Sequence, residues 1–408
     1  MSQQAKTILD GSAPCSGCGA CTAICPADAI RIQLDKDGFF VASVVEERCI
    51  HCARCAAVCQ KFGVDTQTPQ LTEGELWSAQ SSISETVRSC TSGGIAYELS
   101  KQAIAKGEMV CGVIYDYDTD RAKTVLVETI EQLEEVKGSK YLQSNTAEAF
   151  QNLLSIAQRS PERHFLVVGT PCQIYGLHKV LQQKKMRDRF LLIDLFCHGV
   201  PSYLVWDAYL RGIRRRNTKQ KLSNLKFRDK KIGWHNFVLR LDFGNEVYQK
   251  SSEGDLFYHT FFDNILLGEA CFQCPVRCTY SGADIRLGDF WGGRYQERED
   301  GVSAVLLLTE QGRQALKECP NITLLQQCDV TECLKGQSVT SYPHLPLRQK
   351  AFDVLREKDD LRKTIRFYRK KFPMKRRLKL VLKESTAKLP DGVRASLRMI
   401  YRKRGKHG

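Results

Sequence analysis

Short apolar runs alternate with amphipathic stretches through the middle of the chain. The runs of strand length are "MVCGVIYD", "KTVLVET", "HFLVVG" and "FLLIDLF", and the helical spacing is clearest in "AEAFQNLLSIAQ" and "QIYGLHKVLQQKK". Strands that alternate with helices predict an α/β core with a partly parallel sheet. Three later runs, "LKFRDKK", "FVLRLDF" and "EVYQKSS", are more typical of an antiparallel insert.

Two of the strand-like runs end in loops that carry cysteine. The segments are "HFLVVGTPCQIYGLHKV", with Cys172 in its loop, and "FLLIDLFCHGVPSYLVWDAYL", with Cys197 and His198 in its loop. A helix between the two strands predicts a right-handed βαβ crossover. Both loops would then lie at the carboxyl edge of the sheet, where ligands bind in such folds. We therefore expect Cys172 and Cys197 in one active-site region.

The pattern divides the chain into four parts. A small, cysteine-dense α+β domain is predicted at residues 1–62, followed by a polar linker at 63–78. The α/β domain is expected to cover residues 79–345, and a tail of basic helices, broken at Pro373, to cover 346–408.

Composition bears on location and on the use of cysteine. The first residues, "MSQQAKTILDGSAPC", are too polar for a signal peptide, and no run has the roughly 18–20 apolar residues that a membrane span needs. We therefore expect a cytoplasmic protein. In that compartment the 18 cysteines are better explained as metal or redox ligands than as disulfides.

The net charge of +15 lies almost entirely in the tail. Residues 348–408 contain 22 Lys and Arg against 6 Asp and Glu, whereas the other 347 residues contain 39 against 40. This distribution argues against a nucleic-acid-binding core. The tail sequence "LRKTIRFYRKKFPMKRRLKLVLK" interleaves basic and apolar residues, as helices at membrane interfaces do. We expect peripheral contact with an anionic inner membrane face or with a partner; a solvated helix packed on the body is the alternative.

The N-terminal cysteines form two complete runs with C-x2-C-x2-C-x3-C spacing. The runs are Cys15, Cys18, Cys21 and Cys25, and Cys49, Cys52, Cys55 and Cys59. This is the spacing of bacterial two-cluster ferredoxins, in which the fourth cysteine of each run ligates the other cluster. We therefore assign Cys15, Cys18, Cys21 and Cys59 to one [4Fe-4S] cluster, and Cys49, Cys52, Cys55 and Cys25 to the other. Paired zinc sites are the alternative.

A third cysteine group, "CFQCPVRC", supplies Cys271, Cys274 and Cys278. A cluster normally takes four protein ligands, so this group lacks one. Cys197 is the preferred fourth ligand because its loop is predicted at the active edge of the sheet, and Cys172 is the second choice. A zinc site that uses His198 is a further alternative.

Two segments have features of a phosphate or flavin site. Ser92, Gly93 and Gly94 open a predicted helix, and small residues there let a phosphate approach backbone N–H groups. Lys140, beside Tyr141 in "KGSKYLQS", could neutralise a phosphate or a reduced flavin. A simple helix N-cap and a polar surface turn are the respective structural alternatives.

The motifs together resemble a known family. In chain order they are "TSGGIA", "VKGSKYLQS", "VVGTPCQIYGL", "DLFCHGVPS", "FRDKKIGWHNF", "CFQCPVRC" and "ADIRLGDFWG". Over roughly residues 10–345 the chain resembles the beta-subunit family of coenzyme F420-reducing hydrogenase and F420-dependent dehydrogenases, which includes 7-hydroxymethyl chlorophyll a reductase. This resemblance implies an FAD-binding α/β domain with its own [4Fe-4S] cluster. It also implies that Asp289 and Trp291 lie near the cluster or the substrate pocket, and that the flavin is lined by Ser92, Gly93, Gly94, Lys140 and Tyr141, with Gly169, Thr170, Pro171, Cys172 and Gln173 in the adjacent loop.

The expected function is that of an iron–sulfur flavoprotein oxidoreductase. Electrons would pass from a ferredoxin or another redox partner protein through the clusters to FAD, and then to an unidentified organic substrate. His198 and Asp289 are the candidates for proton handling. The alternatives are an electron-transfer adaptor that has no substrate of its own and a zinc-stabilised interaction protein.

Overall fold

The computed structural model describes residue 8, residues 13–217, 220–337 and 346–386, and residue 389. Its described residues fall into two compact units. One unit is drawn from residues 1–203 and 267–344, and the other from residues 204–266 and 345–408. Residues 387–388 and 390–408 of the predicted tail lie outside the described residues.

The strands and helices of the described residues have the following bounds. The strands are β1 (Ile30–Leu34), β2 (Phe40–Val44), β3 (Glu75–Ser81), β4 (Met109–Asp116), β5 (Arg121–Val127), β6 (Ser144–Asn145), β7 (Phe165–Val168), β8 (Phe190–Leu195), β9 (Asn224–Asp229), β10 (Val238–Phe243), β11 (Glu246–Ser251), β12 (Ile285–Asp289), β13 (Ser303–Leu307) and β14 (Ile322–Cys328). The α-helices are α1 (Ala20–Ile24), α2 (Arg54–Ala57), α3 (Ser84–Ser89), α4 (Ile95–Ala105), α5 (Ile130–Val136), α6 (Ala147–Arg159), α7 (Pro171–Gln183), α8 (Tyr203–Asn217), α9 (Leu256–Asp263), α10 (Pro275–Cys278), α11 (Glu310–Lys317), α12 (Val330–Gly336), α13 (Leu347–Lys358), α14 (Leu361–Arg369) and α15 (Met374–Thr386).

The first unit is built on a mixed sheet. Its described strands have the order β14-β3-β13-β12-β8-β7-β4-β5-β6. Strands β12, β8, β7 and β4 pair in parallel with one another, whereas β13 pairs antiparallel with β12 and β3, and β5 pairs antiparallel with β4. The central strands are apolar and fully buried, as Leu192 and Ile193 of β8 show. Helices cover strands of this kind on both faces. The predicted α/β core with a partly parallel sheet is confirmed.

The crossover from β7 through α7 to β8 places two loops side by side. The strands pair in parallel, with Phe165 opposite Phe190. Helix α7 begins at once after β7, because Pro171 occupies its first turn and Thr170 and Gln173 form a capping box around its first N–H groups. Cys172, predicted in the loop, therefore lies in the first turn of α7, and this turn and the Cys197 loop follow neighbouring strands at the same edge.

The cysteine-rich N-terminal region packs against the α/β body within this unit. It consists of the antiparallel pair β1–β2 and the short helices α1 and α2. Ala20 and Ile24 of α1 share a hydrophobic cluster with Leu177 and Val180 of α7. Gly176 makes this close approach possible, since a Cβ there would lie 2.6 Å from the Ala20 Cβ.

The segment predicted as a linker, residues 63–78, makes specific contacts. The Asp65 carboxylate lies 3.0 Å from the Lys179 amine, and the Asp65 N–H donates to the Tyr175 hydroxyl. Strand β3 begins at Glu75, so the last residues of this segment belong to the core sheet.

The second unit combines the antiparallel insert with the basic C-terminal helices. Strands β11, β10 and β9 form a three-stranded antiparallel sheet, as the pattern predicted. The buried carboxylate of Asp263, at the end of α9, accepts hydrogen bonds from the Tyr368 hydroxyl at 3.0 Å and from Arg369 Nε at 2.6 Å. Helix α14 is thereby tied to the insert. Among the described residues, no helix combines the length and the apolar character needed to cross a membrane.

Candidate redox centre

The eight N-terminal cysteines line two separate cavities, four in each. One cavity is lined by Cys15, Cys18, Cys21 and Cys59, and the other by Cys25, Cys49, Cys52 and Cys55. The last cysteine of each run thus faces the other run's cavity. This is the crossed arrangement that the spacing predicts for a two-cluster ferredoxin. We call the set with Cys15 the inner set. We call the set with Cys52 the outer set, because Cys52 is exposed.

Left-handed backbone conformations shape both cysteine loops. In the first run Gly17 and Gly19 have φ values of 65° and 76°. A Cβ at Gly17 would lie 2.0 Å from the Phe40 carbonyl oxygen, so only glycine fits there. In the second run the equivalent positions are His51 and Ala53, with φ values of 51° and 60°. Each non-glycine residue in this region costs roughly 1–2 kcal/mol, so the outer loop is the more strained.

Four thiols in one cavity, two of them buried, suit a cationic iron centre. Burial raises the pKa of the Cys18 and Cys21 thiols well above the usual range, and the charges of neighbouring cysteines raise both further. Without a cation, thiolates so arranged would repel one another in a poorly hydrated space. The iron of a cluster would remove that repulsion. Within the described residues no three His, Cys, Asp or Glu side chains converge as ligands of a single metal ion.

A third group of thiols lies at the carboxyl edge of the main sheet. Burial raises the pKa of Cys271 to about 12, and the charges of Cys197 and Cys172 raise it further. The pKa of Cys274 is also raised, first by burial and then by Cys172, Cys271 and Cys197. Cys172, Cys197, Cys271 and Cys274 therefore lie within range of one another's charge. The two loops considered as sources of a fourth ligand both reach this group.

The remaining cysteine of the motif, Cys278, ends helix α10 and is half-buried.

Two glycines bring neighbouring loops close to Cys271. A Cβ at Gly199 would lie 3.7 Å from the Cys271 sulfur, and one at Gly268 would lie 3.4 Å from it. The backbone of the "CHG" loop therefore lies directly against Cys271.

A buried ion pair holds the "CFQCPVRC" loop in place. Arg286 on β12 and Asp194 on β8 are both fully buried, and Arg286 Nη2 lies 2.5 Å from Asp194 Oδ2. The same guanidinium donates to the carbonyl oxygens of Val276 and Arg277, at 2.8 and 3.1 Å. Neighbouring Arg277 donates to the His198 carbonyl at 3.2 Å. Two arginines thus join the loops of Cys197 and Cys274.

The inner set and the third group are adjacent. The charge of Cys172 is among the causes that raise the pKa of Cys18. Cys172 is the second residue of α7, and a Cβ at Gly176 of the same helix would lie 3.2 Å from the Cys18 sulfur. The Thr146 hydroxyl also donates to the Cys18 carbonyl at 2.8 Å. The charge of Cys55 acts on Cys21 in the same way, so the outer set lies beside the inner set and the inner set beside the third group.

Comparison with known proteins agrees with this arrangement. Residues 14–62 match the 4Fe-4S dicluster domain, and residues 162–332 match the family described as the C terminus of the coenzyme F420 hydrogenase/dehydrogenase beta subunit. Residues 162–332 are thus similar to that beta-subunit family. The family resemblance inferred from the motifs is confirmed, as is the N-terminal iron–sulfur domain. We call residues 162–332 the beta-subunit segment.

Individual relatives span more of the chain. The F subunit of the F(420)H(2) dehydrogenase from Methanosarcina mazei is 23% identical over 309 residues, which is 73% of this chain and 80% of that protein. The uncharacterized protein MJ1349 of Methanocaldococcus jannaschii is 24% identical over 220 residues, 46% of this chain and 60% of that protein. The F420-reducing [NiFe] hydrogenase complex from Methanosarcina barkeri contains a chain with a TM-score of 0.41 and 20% identity, with 74% of this chain and 93% of that chain covered.

The segments predicted to line a flavin are joined along the edge of the sheet. The Ser139 N–H donates to the Thr91 hydroxyl at 2.9 Å, which links "KGSKYLQS" to "TSGG". Gln173 of the beta-subunit segment donates to the Ser144 hydroxyl at 2.9 Å, which links "GTPCQ" to the same loop. The "GTPCQ" segment itself is divided between the end of a loop, with Gly169 and Thr170, and the first turn of α7, with Pro171 and Cys172.

Internal contacts account for several of these residues without a cofactor. The Ser92 hydroxyl donates to the Val302 carbonyl, and the Gly93 N–H donates to Ser303 Oγ at 3.0 Å. A Cβ at Gly93 would lie 2.6 Å from the Ala79 carbonyl oxygen. Gly94 has a φ of 88° at the N-cap of α4. These glycines let the loop pack against β3 and β13.

Lys140 caps a helix. Its amine donates to the carbonyl oxygens of Glu135, Val136 and Lys137 at 2.7–3.1 Å, at the C-terminus of α5. Burial lowers the pKa of Lys140 to about 7. All three donors of a lysine ammonium are thus engaged, and a phosphate would have to displace one of these carbonyls. Tyr141 follows in the same loop and is half-buried.

The two residues predicted to handle protons lie on neighbouring loops. His198 follows β8, and Asp289 ends β12, which pairs in parallel with β8. The Asp289 carbonyl accepts the Trp291 N–H at 2.9 Å and a hydrogen bond from Gln337.

Three residues that hold the third thiol group, Asp194, Arg277 and Arg286, were not predicted from the sequence. A signal for two of them was present, because Asp194 is the one charge of β8 and Arg286 lies between the apolar Ile285 and Leu287 of β12. A charge on a buried strand requires a partner, and here each is the partner of the other.

Proposed function

We propose that this protein carries electrons through three [4Fe-4S] clusters to FAD at the carboxyl edge of the main sheet, for delivery to an organic substrate. The observation that carries the proposal is the succession of thiol sets. The outer set, which includes the exposed Cys52, is followed by the inner set, and Cys18 of the inner set lies within range of the charge of Cys172 in the third group. Clusters in such a row transfer single electrons over short distances, from a ferredoxin or another redox partner to the edge of the sheet.

For the third cluster we propose Cys172, Cys197, Cys271 and Cys274 as ligands. This set contains the Cys197 of the sequence prediction and uses Cys172 in place of Cys278. Supporting it are the mutual charge effects of the four thiols and the carbonyl contacts with which Arg286 fixes the loop between Cys274 and Cys278. Thiolates are the ligands that iron–sulfur clusters take.

We propose FAD for the space bordered by the "TSGG", "KGSKYLQS" and "GTPCQ" loops. The family resemblance supports this site, and the hydrogen bonds from Ser139 to Thr91 and from Gln173 to Ser144 make the three loops neighbours. When bound, a flavin would exchange electrons singly with a cluster and in pairs with a substrate. His198 and Asp289 would hold and move the accompanying proton.

A second candidate function is an adaptor that delivers electrons to a partner protein without a substrate of its own. The contacts of Ser92, Gly93 and Lys140 favour it, since the polar groups predicted to bind flavin are satisfied internally. The Methanosarcina mazei relative is named as one subunit within a dehydrogenase, which is also compatible with an adaptor.

Cofactor analysis after anaerobic purification separates the two functions. About twelve irons per chain, four for each cluster, together with one flavin are expected for the oxidoreductase. Twelve irons without flavin, and with electron transfer only to another protein, would favour the adaptor. About eight irons would show that the third cluster is absent, and would contradict both functions as proposed.

Single cysteine variants test the ligand set. We expect Cys172→Ala to lose about four irons per chain, whereas Cys278→Ala keeps them. Cys111→Ala is the matched control, because Cys111 is a fully buried thiol on β4 whose pKa is raised by burial alone. Iron loss from Cys278→Ala and not from Cys172→Ala would restore the ligand set predicted from the sequence.

A further inference from the structure

Helix α15 presents an apolar face that no other element of the second unit covers among the described residues. Met374, Leu378, Val381 and Leu382 are 65%, 58%, 60% and 68% exposed. At 100° per residue these positions fall on one side of the helix. Monomeric proteins rarely leave a contiguous patch of large apolar side chains in water without an interaction partner.

The opposite side of α15 contacts the rest of the second unit. Arg376 donates to the Asp263 carbonyl at 3.2 Å, and Lys383 lies 3.9 Å from Glu253. Glu384 lies 3.6 Å from His259 and also pairs with Arg369. Leu380, on the same side, is half-buried. The contacts fix the rotation of the helix, so the apolar face is turned outward by its packing.

Basic residues border the apolar face on both sides. Lys375 and Lys379 lie along one edge and Arg377 along the other, and all three are exposed. Glu384 is the one acidic residue of α15, and it faces the body of the unit. An apolar stripe with cations at both edges matches a surface whose interior is hydrocarbon and whose outer layer carries phosphate.

We propose that α15 docks the protein on an anionic phospholipid surface, with Met374, Leu378, Val381 and Leu382 inserted between the headgroups. We assign lipid as the binding partner of this face because the charges at its two edges complement phosphates on both sides of the stripe. Helices that lie in the plane of a membrane interface have the same arrangement. The proposal is independent of the cofactors, so it survives if the third cluster or the flavin is absent.

Flotation of the full-length protein with vesicles tests the proposal. We expect the protein to float with vesicles of phosphatidylcholine and phosphatidylglycerol, and to remain below vesicles of phosphatidylcholine alone. The triple variant Leu378→Gln/Val381→Gln/Leu382→Gln should bind at least about tenfold more weakly, because it loses the apolar insertion but keeps the charges.

The control replaces three exposed aliphatic residues elsewhere. Leu324, Leu325 and Val247 are 42%, 37% and 54% exposed, and the variant Leu324→Gln/Leu325→Gln/Val247→Gln should float like the unmodified protein. The proposal is overturned if the unmodified protein fails to float with anionic vesicles. It is equally overturned if the α15 variant floats as well as the control, or if both kinds of vesicle are bound equally.

Discussion

At the scale of single residues, charge inside the sheet determines how the third thiol group is held. In the sequence Asp194 and Arg286 each lie between apolar residues, but their pairing depends on β8 and β12 being neighbours. The two residues are 92 positions apart in the chain, so local patterns could not predict the contact. The crossed grouping of the N-terminal cysteines was predicted from the spacing within each run, because that spacing is local and is typical of two-cluster ferredoxins.

Arg286→Gln should destabilise the first unit by about 3–5 kcal/mol, since it leaves the buried Asp194 carboxylate without its partner. Urea unfolding, with iron measured on the same samples, checks this expectation. The double variant Asp194→Asn/Arg286→Gln is the control, because it removes both charges and should recover part of the loss. An Arg286→Gln protein as stable as the original would contradict a structural role for the pair.

The partly buried His178 predicts that the free energy of unfolding depends on pH. Burial, followed by the charge of Arg187, lowers its pKa to about 4, and its Nδ1 accepts a hydrogen bond from Arg187 Nε at 3.1 Å. Between pH 6.5 and 4 the unfolded chain binds a proton that the folded chain does not. The free energy of unfolding should therefore fall through this range as pH decreases, by up to about 3 kcal/mol.

The measurement is chemical unfolding of the unmodified protein and of His178→Gln at about pH 7 and about pH 5, on either side of the unfolded histidine's titration. The variant should show a shallower loss of stability on acidification. Identical slopes for both proteins would exclude His178 as the source.

At the scale of elements, the strands and the βαβ crossover followed from periodicity, whereas the packing between elements did not. The meeting of α1 with α7 depends on the missing side chain of Gly176, and a glycine inside a helical pattern gives no indication of what lies against it. The same holds for Gly93, which was interpreted as space for a phosphate and lies against the backbone of β3 and β13.

Gly176→Ala should separate α1 from α7, because the added Cβ would lie 2.6 Å from Ala20 and 3.2 Å from the Cys18 sulfur. We expect a loss of about 1–3 kcal/mol in unfolding free energy despite the better helix propensity of alanine. Electron transfer from the inner cluster to the proposed third cluster should also be slower, as measured by stopped-flow absorbance. Gly293→Ala, where a Cβ meets only Gln296 at 3.5 Å, is the control and should change neither quantity.

At the scale of the whole molecule, the order of the thiol sets predicts a direction of access. The outer set has the exposed Cys52 beside Ile50, which is 64% exposed, whereas Cys18 of the inner set is buried. A donor protein would therefore meet the outer cluster first. The spacing of the cysteines predicted two sets of four, but it could not indicate which set lies against the third group.

Cys52→Ser should abolish reduction of the inner and third clusters by a ferredoxin-type donor, while dithionite still reduces them. Electron paramagnetic resonance of the reduced protein distinguishes the remaining clusters. Cys328→Ser, at a half-buried cysteine outside the three thiol sets, is the control. Unchanged reduction by the donor protein would show that electrons enter elsewhere.

The left-handed residues His51 and Ala53 have a consequence for assembly in the cell. Their conformation is unfavourable for the bare chain, so the outer loop depends on its iron more than the glycine-containing inner loop does. When iron is scarce, the chain should therefore keep its fold and its inner cofactors but lose its contact point with the donor. Iron supply would then limit the electron flow through this protein.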